Sequence, residues 1–347
     1  MCLHLPRYAK LCTDSDELTF ENQDFLNVIS HFPRRTPKWQ YAGVGMSDAA
    51  ERYLHAARRE STQRRYAQAI EHFEVEWGGM LPASSESIVR YLAAYGAQLS
   101  SNTLRTHLAA LAQWHLQFGF DDPTKASRVR DVLRGIQALH PQPIKQAEAL
   151  QLQMLEACIE GLAGQLTADQ VTVRLRAARD QALLLMGFWR ALRGDELCRL
   201  RVEHIQLREG LELEIFLASS KTDRDHRGRT LVLPALKRLC PVDAYQHWVA
   251  VSGIHQGPVF RAIDRWGHLA EEPVNPNSLS RILRLAFVRS GVAGEGYTAH
   301  SLRRGFATWA SRNRWSSKAL MEYVGWRDIQ SAARYIEADA PFGDWAR

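Results

Sequence analysis

Apolar residues recur at helical spacing through the first part of the chain. Within 47–79 they fall at Tyr66, Ile70, Phe73 and Trp77, an i, i+4, i+7, i+11 pattern that predicts an amphipathic helix ending at a glycine pair. Three or four further helices are predicted from the stretches "SSESIVRYLAAYGAQL", "SNTLRTHLAALAQWHLQFG" and "KASRVRDVLRGIQALH". Their candidate N-caps are Ser85, Ser101 and Thr124.

The pattern changes in the second part of the chain. After helices around "LQLQMLEACIEGL" and "AARDQALLLMGFWRALRGDELCRL", the stretch "ELEIFLASSKTDRDHRGRTLVLP" places two strand-like apolar runs around a charged turn that ends at Gly228. This arrangement predicts a β-hairpin. Helical patterns then return in "NSLSRILRLAFVRSG", "TAHSLRRGFATWASRN", "SSKALMEYVG" and "DIQSAARYIEAD".

These elements predict a mainly α protein of two domains. A length of 347 residues exceeds what one core usually holds, about 250 to 300 residues. The prolines in "HPQPIKQAEAL" indicate a linker at 141–150 between a helical domain at 47–140 and an α+β domain at 151–347 with a small antiparallel sheet or hairpin. Residues 1–46 show little periodicity and are predicted to be an N-terminal extension, partly disordered.

Composition narrows the class of protein. No apolar run is long enough to cross a bilayer and no signal-peptide pattern opens the chain, so we expect an intracellular protein without a membrane partner. The five cysteines are scattered, which argues against a disulfide framework or a structural zinc site. The net charge of +6 comes largely from arginine, whose planar guanidinium suits phosphate, but many basic proteins bind no nucleic acid.

A histidine and two arginines open the helix predicted from "TAHSLRRGFATWA". With about 100° per residue, Arg303 lies at the edge of the apolar stripe centred near Leu302, whereas Arg304 points almost opposite to it. His300 lies one turn before Arg303 on the same side. A cation on the flank of a core stripe needs a partner or a cleft, since burying it alone costs several kcal/mol. For an isolated motif of this kind, a pair with a structural carboxylate is the more common explanation of Arg303.

Other polar residues have ordinary explanations when taken singly. In "ALRGDEL", Arg193 and Glu196 are spaced to form an i, i+3 pair that could lie on a helix surface. Lys221 could be a solvated turn lysine, and Tyr335 a half-buried helix residue. Trp326 could serve packing; it follows Gly325, which has the position of a helix C′ glycine, and Asp328 is placed to cap the next helix.

The order of these residues is more specific than any one of them. The motifs "RGDE", "SSKTD", "HSLR", "VGW" and "ARY" occur in that order, and the tryptophan and the tyrosine are nine positions apart. The sequence thereby resembles the tyrosine recombinase (phage integrase) family, and the tryptophan at 326 places it nearer the Cre-like members. The stretches "ESTQRRYAQAIEHFEVEW" and "LSSNTLRTHLAALAQWHLQFGFDDPTKASRVRDVLRGI" resemble the helical core-binding domain of that family, so the resemblance covers residues 47–347.

The resemblance implies a mechanism for cutting and rejoining DNA. Tyr335 would attack the scissile phosphate and form a 3′-phosphotyrosine intermediate, with no metal, ATP or other cofactor. Arg193 and Arg303 would bind the non-bridging oxygens, and His300 and Trp326 would donate further hydrogen bonds.

Two further residues complete the implied site. Lys221 would protonate the leaving 5′-oxygen as a general acid, and Glu196 would orient Arg193. His300 would also assist removal of the proton from the Tyr335 hydroxyl.

The resemblance also implies partners. These are double-stranded DNA recombination sites and three further copies of the chain, in a tetramer on two sites, inside a bacterial cytoplasm where the protein, host- or phage-encoded, associates with the nucleoid. Arginines in "ARRESTQRR" are candidate DNA contacts, although a solvated helix face explains them equally well: Arg58, Arg59, Arg64 and Arg65. In the short tail after Tyr335, Phe342 and Trp345 would anchor any segment lent to a neighbouring protomer.

Three other functions fit parts of the sequence. A type IB topoisomerase would share the chemistry and relax supercoils as a monomer, and an accessory protein would keep the fold and bind DNA without catalysis. The complete set of catalytic positions argues against the accessory protein, and the resemblance of the helical domain argues against the topoisomerase. A metal-dependent nuclease is the weakest alternative, because no carboxylate or histidine cluster has ligand spacing.

Overall fold

A computed structural model describes residues 52–53, 60–142, 146–208, 210–218 and 228–333, and the predicted extension at 1–46 lies outside them. The chain divides into two compact units, Met1–Pro143 and Ile144–Arg347. The first unit is helical in its described part, and the second combines helices with two small antiparallel sheets. The predicted class, a mainly α protein with a small antiparallel sheet in the second part, is confirmed.

The first unit is a bundle of amphipathic helices. They are α1 Glu60–Glu71, continued by a π-helical turn at His72–Glu76, then α2 Ser85–Tyr95, α3 Ser101–Gln117 and α4 Ser127–Leu139. The predicted stripe forms part of the core: Ile70 and Phe73 are buried, and Tyr66 and Trp77 pack against them. The hydrophobic pattern therefore identified the buried face of this helix correctly.

The predicted N-caps are wrong by one residue in two cases. The Ser84 hydroxyl accepts the Ser87 backbone N–H at 3.2 Å, and the Ser100 hydroxyl accepts that of Thr103 at 3.0 Å. Each helix begins at a serine pair, and either serine could have been the cap. Thr124 lies in a short 3-10 turn that Asp122 caps, and α4 begins only after it.

The second unit supplies the larger core. Its helices are α5 Leu152–Ala163, α6 Val171–Trp189, α7 Gly194–Cys198, α8 Pro241–Ser252, α9 Pro276–Arg289, α10 Ala299–Arg312, α11 Ser317–Val324 and α12 Ile329–Ala333. Its strands are β1 Ile205–Arg208, β2 Glu212–Leu217, β3 Arg229–Pro234, β4 Arg261–Ile263 and β5 Leu269–Pro273. No helix in the described part of the chain is both long and apolar enough to cross a membrane.

The predicted hairpin is the pair β2 and β3, which run antiparallel with Leu217 opposite Arg229. Alternation places Leu213, Ile215 and Leu217 in the core. Strand β1 adds a third, outer strand that the sequence analysis did not predict. The separate β4 and β5 pair was also missed, because each strand is short and carries charged residues among its apolar ones.

Helix α6 lies at the centre of the second unit. Residues 177–188 are all buried, and α5, α8 and α10 pack around them. Close approach to α10 depends on Gly187, since a Cβ there would meet the Leu302 side chain at 2.7 Å. A helix that is buried on every side holds its C-terminal end in a fixed position, and that end leads directly into the candidate site.

One exposed carboxylate joins two loops beside β1. Glu203 accepts the Arg201 Nε–H at 2.6 Å and the backbone N–H of Gly257 at 2.8 Å. Hydrogen bonds from its own backbone N–H, from Arg201 and from Gly257 lower the pKa of the Glu203 carboxyl from 4.5 to about 2.

A carboxyl with a lowered pKa contributes stability that is full above its unfolded value and is lost as the pH falls through its folded value. We therefore expect the amide resonance of Gly257 to titrate with a midpoint near pH 2 in NMR spectra. The Glu203→Gln variant should show no such transition. A midpoint near 4.5 in the wild type would mean that the contact with Gly257 does not form in solution.

Candidate active site

Arg193 and Glu196 occupy the short connection from α6 to α7. Arg193 is the N-cap of α7 with extended backbone, so it precedes the helix instead of lying on its surface as an i, i+3 pair would. The Glu196 carboxylate accepts the Arg193 backbone N–H at 3.0 Å and its Nη1–H at 2.8 Å. Only 1% of the Glu196 side chain is exposed, against 17% for Arg193. The buried carboxylate therefore fixes the orientation of the Arg193 guanidinium, while part of the Arg193 side chain remains exposed to solvent.

The charge of Glu196 is stabilised by arginines. Burial alone would raise the pKa of its carboxyl, but hydrogen bonds and charge from Arg193, with the charge of Arg229, outweigh burial and lower it. The Arg229 Nη2 lies 3.7 Å from Glu196 Oε1. Glu196 therefore stays ionised at neutral pH.

Arg303 is buried, with 5% exposure, on the first turns of α10. Its Nη1 donates to the backbone carbonyl of Ala191 at 2.6 Å, two residues before Arg193. Ala191 has a φ of 50°, a left-handed conformation that costs a non-glycine residue about 1 kcal/mol or more. This unusual backbone turns the carbonyl towards Arg303 and brings the two candidate phosphate ligands to neighbouring positions.

His300 is exposed at the start of α10. The start of α10 lies against the start of α7, because a Cβ on Gly194 would meet the Ala299 Cβ at 3.0 Å. Arg304 leaves the helix in another direction and donates to the Gln146 side chain. The helical geometry predicted from sequence thus separated Arg303, which faces the site, from Arg304, which does not.

Trp326 follows α11 and faces Arg303, whose Cζ lies 5.3 Å from the centre of the indole ring. The predicted C′ glycine is confirmed: Gly325 has a φ of 76°, and its N–H donates to the Met321 carbonyl at 2.8 Å. Asp328 also caps as predicted, accepting the Gln330 backbone N–H at 3.1 Å. The cation and the ring stabilise each other's placement.

Two arginines that the sequence analysis did not select join this group. Arg190, 7% exposed, lies 4.1 Å over the Tyr323 ring and donates to the Tyr323 carbonyl. Burial lowers the pKa of Arg190, and the nearby charges of Arg229 and Glu196 act in opposite directions. The signal for Arg190 was present in "FWRALRG", where a second arginine precedes Arg193, but Arg229 follows a turn rich in charged residues and had no distinctive spacing.

Several predicted site residues lie outside the described part of the chain: Lys221, Tyr335, Arg58 and Arg59. Of the other candidate DNA contacts, Arg64 is exposed and pairs with Glu60 at 2.5 Å, and Arg65 is exposed. Within the residues that the structure describes, no group of three or more His, Cys, Asp or Glu side chains could hold a metal ion. The described site is therefore an arginine cluster with one histidine and one tryptophan, which suits a phosphate group.

Comparison with known proteins decides the family. Residues 165–341, more than half of the chain, match the family model described as the phage integrase family. This chain belongs to the phage integrase family. It is a site-specific tyrosine recombinase, an enzyme that breaks and rejoins DNA at recombination sites. Family membership favours recombination over the topoisomerase-like and non-catalytic alternatives.

Relatives extend the similarity beyond the matched segment. The recombinase is 28% identical over 309 residues to an integrase/recombinase XerD homolog of Selenomonas ruminantium, which covers 86% of this chain and 88% of that protein. It is also 28% identical over 166 residues to the tyrosine recombinase XerC of Pseudomonas putida, covering 47% and 49% of the two chains.

Solved structures share the fold. The XerH recombinase bound to a palindromic difH substrate superposes with a TM-score of 0.56 at 17% identity, over 80% of this chain and 76% of that one. A lambda integrase dimer bound to a core site gives 0.54 at 15% identity, over 84% and 94%. At these identities the similarity establishes the fold alone. The narrower Cre-like placement stays a prediction.

Proposed function

We propose that this recombinase cleaves DNA by transesterification, with Tyr335 as nucleophile and without metal or ATP. The Tyr335 hydroxyl gives up its proton with the assistance of His300, its oxygen forms a bond to the scissile phosphorus, and the bond to the 5′-oxygen breaks, which gives a 3′-phosphotyrosine and a free 5′-hydroxyl. The leaving oxygen takes its proton from Lys221. A 5′-hydroxyl of a partner strand then reverses the step and releases the tyrosine, so the number of phosphodiester bonds is unchanged.

The observation that supports this proposal is a group of four arginines that includes only one carboxylate partner, Glu196. The net charge where α6, α7 and α10 meet is positive, because four guanidinium groups are opposed by the single carboxylate of Glu196. The four belong to Arg190, Arg193, Arg229 and Arg303. Burying charge is costly unless it is matched, and a phosphodiester supplies a negative charge on oxygens that guanidinium groups bind in pairs.

The arrangement supports a separate role for each described residue. Arg193, held by Glu196, and Arg303, held by Ala191, would bind the two non-bridging oxygens before charge accumulates on them. Preorganised donors of this kind lower the barrier because they need not move during the reaction. His300, which is exposed, and Trp326, beside Arg303, would donate further hydrogen bonds to the phosphate as its phosphorus becomes pentacoordinate in the transition state.

The helical unit would also bind DNA at the recombination site. Arg58, Arg59, Arg64 and Arg65 are proposed phosphate contacts, with the two described members exposed on α1. Affinity that depends on phosphate contacts falls steeply as salt concentration rises.

We propose a tetramer on two DNA sites as the active assembly. A lambda integrase tetramer bound to a Holliday junction has the same fold, with a TM-score of 0.53 at 16% identity. In this chain the tail beyond Tyr335, with Phe342 and Trp345, would contact the neighbouring protomer. The natural compartment for such an assembly is the bacterial cytoplasm, where the nucleoid carries the sites.

The direct experiment traps the covalent intermediate. Fragments of the replicon that carries the coding sequence are first selected for binding to the full-length protein. A nick is then placed beside the candidate cleavage position, so that a short leaving strand diffuses away and the adduct accumulates. We expect an adduct on a denaturing gel, and a DNA-linked peptide containing Tyr335 in mass spectra. Absence of an adduct on a bound site, or linkage to another residue, would contradict the proposal.

A further inference from the structure

The end of α11 and the turn that follows it are held by three arginines from different parts of the chain. Arg190, after α6, covers the Tyr323 ring; Arg229, on β3, lies against Gly325; and Arg303, on α10, lies beside Trp326. This turn comes immediately before α12 and the residues that lead to Tyr335. The position of this turn therefore helps to set where the segment that carries Tyr335, the proposed nucleophile, begins.

Arg229 lies between the Glu196 carboxylate and this turn. On one side its Nη2 lies 3.7 Å from Glu196 Oε1, the oxygen that also accepts the Arg193 Nη1–H at 2.8 Å. On the other side its guanidinium packs so closely on Gly325 that a Cβ there would lie 2.1 Å from Nη1. One side chain thus joins the carboxylate that orients Arg193 to the turn that carries Trp326.

The backbone position of Arg229 adds a third connection. Arg229 is the first residue of β3 and pairs with Leu217, the last residue of β2, so residues 218–228 connect the two strands next to it. Lys221 belongs to that connection in the sequence. The point where β3 begins is therefore connected, through the Arg229 side chain, both to Glu196 and to the Gly325–Trp326 turn.

We propose that Arg229 is a positioning residue for DNA cleavage, which sets the orientation of Arg193 through Glu196 and the position of the Gly325–Trp326 turn through direct packing. This inference rests on the proposed function of the site. Arg229 acts through other residues: it reaches Arg193 through Glu196 and Trp326 through Gly325, and it is Arg193 and Trp326 that would face the DNA. Loss of Arg229 should leave the donors present but less precisely placed.

The test compares Arg229→Met with Arg208→Met in the full-length protein. Methionine keeps much of the apolar stem and removes the guanidinium. Arg208 is a matched control, since it lies on β1 of the same sheet, is 58% exposed and pairs with Glu212 and Glu214. Both variants are checked for wild-type thermal unfolding before any rate is compared.

The first readout needs no DNA. The backbone N–H groups of Gly325 and Trp326 both donate to the Met321 carbonyl, at 2.8 and 2.9 Å. We expect their hydrogen exchange to be several-fold faster in Arg229→Met and unchanged in Arg208→Met, because local opening of the turn becomes easier. Unchanged exchange in Arg229→Met would overturn the inference, whatever the protein does to DNA.

The second readout separates positioning from a general loss of structure. On an ordinary phosphodiester we expect Arg229→Met to form the adduct about tenfold more slowly than wild type. When a methyl group replaces one non-bridging oxygen, the scissile phosphate is neutral and guanidinium donors matter less. The defects of Arg229→Met and Arg193→Ala should then shrink together, while Arg208→Met stays near wild type on both substrates.

Two outcomes of the second readout would contradict the inference. An Arg229→Met defect of equal size on both substrates would indicate a structural role without effect on phosphate recognition, and no defect on either would exclude a positioning role. A wild-type protein that forms no adduct at all would contradict the proposed function and with it the catalytic part of this inference, while the exchange measurement would still report whether Arg229 holds the turn.

Discussion

Replacing Arg303 by alanine should slow formation of the covalent complex by about 10² to 10³-fold, the usual cost of removing one preorganised donor at a developing negative charge. Arg303 is 5% exposed, donates to the Ala191 carbonyl and lies beside Trp326. Its orientation is therefore set before DNA arrives, and alanine removes both the charge and that preorganisation.

The neighbouring arginine provides the matched control. Arg304→Ala removes the same functional group one residue away, from a side chain that contacts Gln146 instead of the site. We expect it to keep the cleavage rate within about twofold of wild type, since its guanidinium donates to Gln146 on a different side of α10 from Arg303. Single-turnover rates on the nicked substrate, at protein concentrations that saturate the DNA, distinguish slower chemistry from weaker binding. Equal defects in the two variants would show that the site does not use Arg303 as proposed.

The second large effect concerns stability. Asp180, 1% exposed on α6, accepts the Arg179 Nε–H at 2.9 Å and also pairs with Arg289 on α9. Burial lowers the pKa of Arg289, and the charge of Asp180 opposes that shift. Asp180→Asn keeps the shape of the side chain but leaves two guanidinium groups without its charge, so we expect a loss of about 3 to 5 kcal/mol in the free energy of unfolding.

Thermal unfolding of the full-length protein measures this loss. A change of that size should lower the Tm of the second unit by roughly 6 to 20 °C. Glu214→Gln is the control, because Glu214 pairs with the exposed Arg208 on the surface of the sheet. It should change the free energy by no more than about 0.5 kcal/mol. If Asp180→Asn unfolds at the wild-type temperature, the buried ion group does not stabilise the packing of α6 on α9.

Local patterns predicted several elements of both units well. The period of apolar residues placed the helix with Ile70 and Phe73, the β2 and β3 hairpin, the Gly325 cap and the side of α10 on which Arg303 lies. These features depend on residues within one or two turns of each other, and periodicity reports such neighbours directly. The serine caps failed because two adjacent residues had equal chemistry.

Long-range contacts were outside the reach of such patterns. The spacing of Arg193 and Glu196 predicts a hydrogen-bonded pair in which the carboxylate orients the guanidinium. It does not indicate that Glu196 is buried and shared with Arg229, a residue that no sequence pattern distinguished. Nothing in the spacing of Asp180 and Arg289 indicated that they meet. Propensities carry no information about which distant side chains share a cavity.

By itself the sequence determined the helical and hairpin elements and the order of motifs that identifies a tyrosine recombinase, because these properties are encoded in local spacing. Only the tertiary structure decided which cations form one site, since α6, α7, β3 and α10 must pack before Arg190, Arg193, Arg229 and Arg303 come together. It also decided that an alanine with left-handed backbone holds Arg303, a conformation that packing imposes against the local preference of the residue.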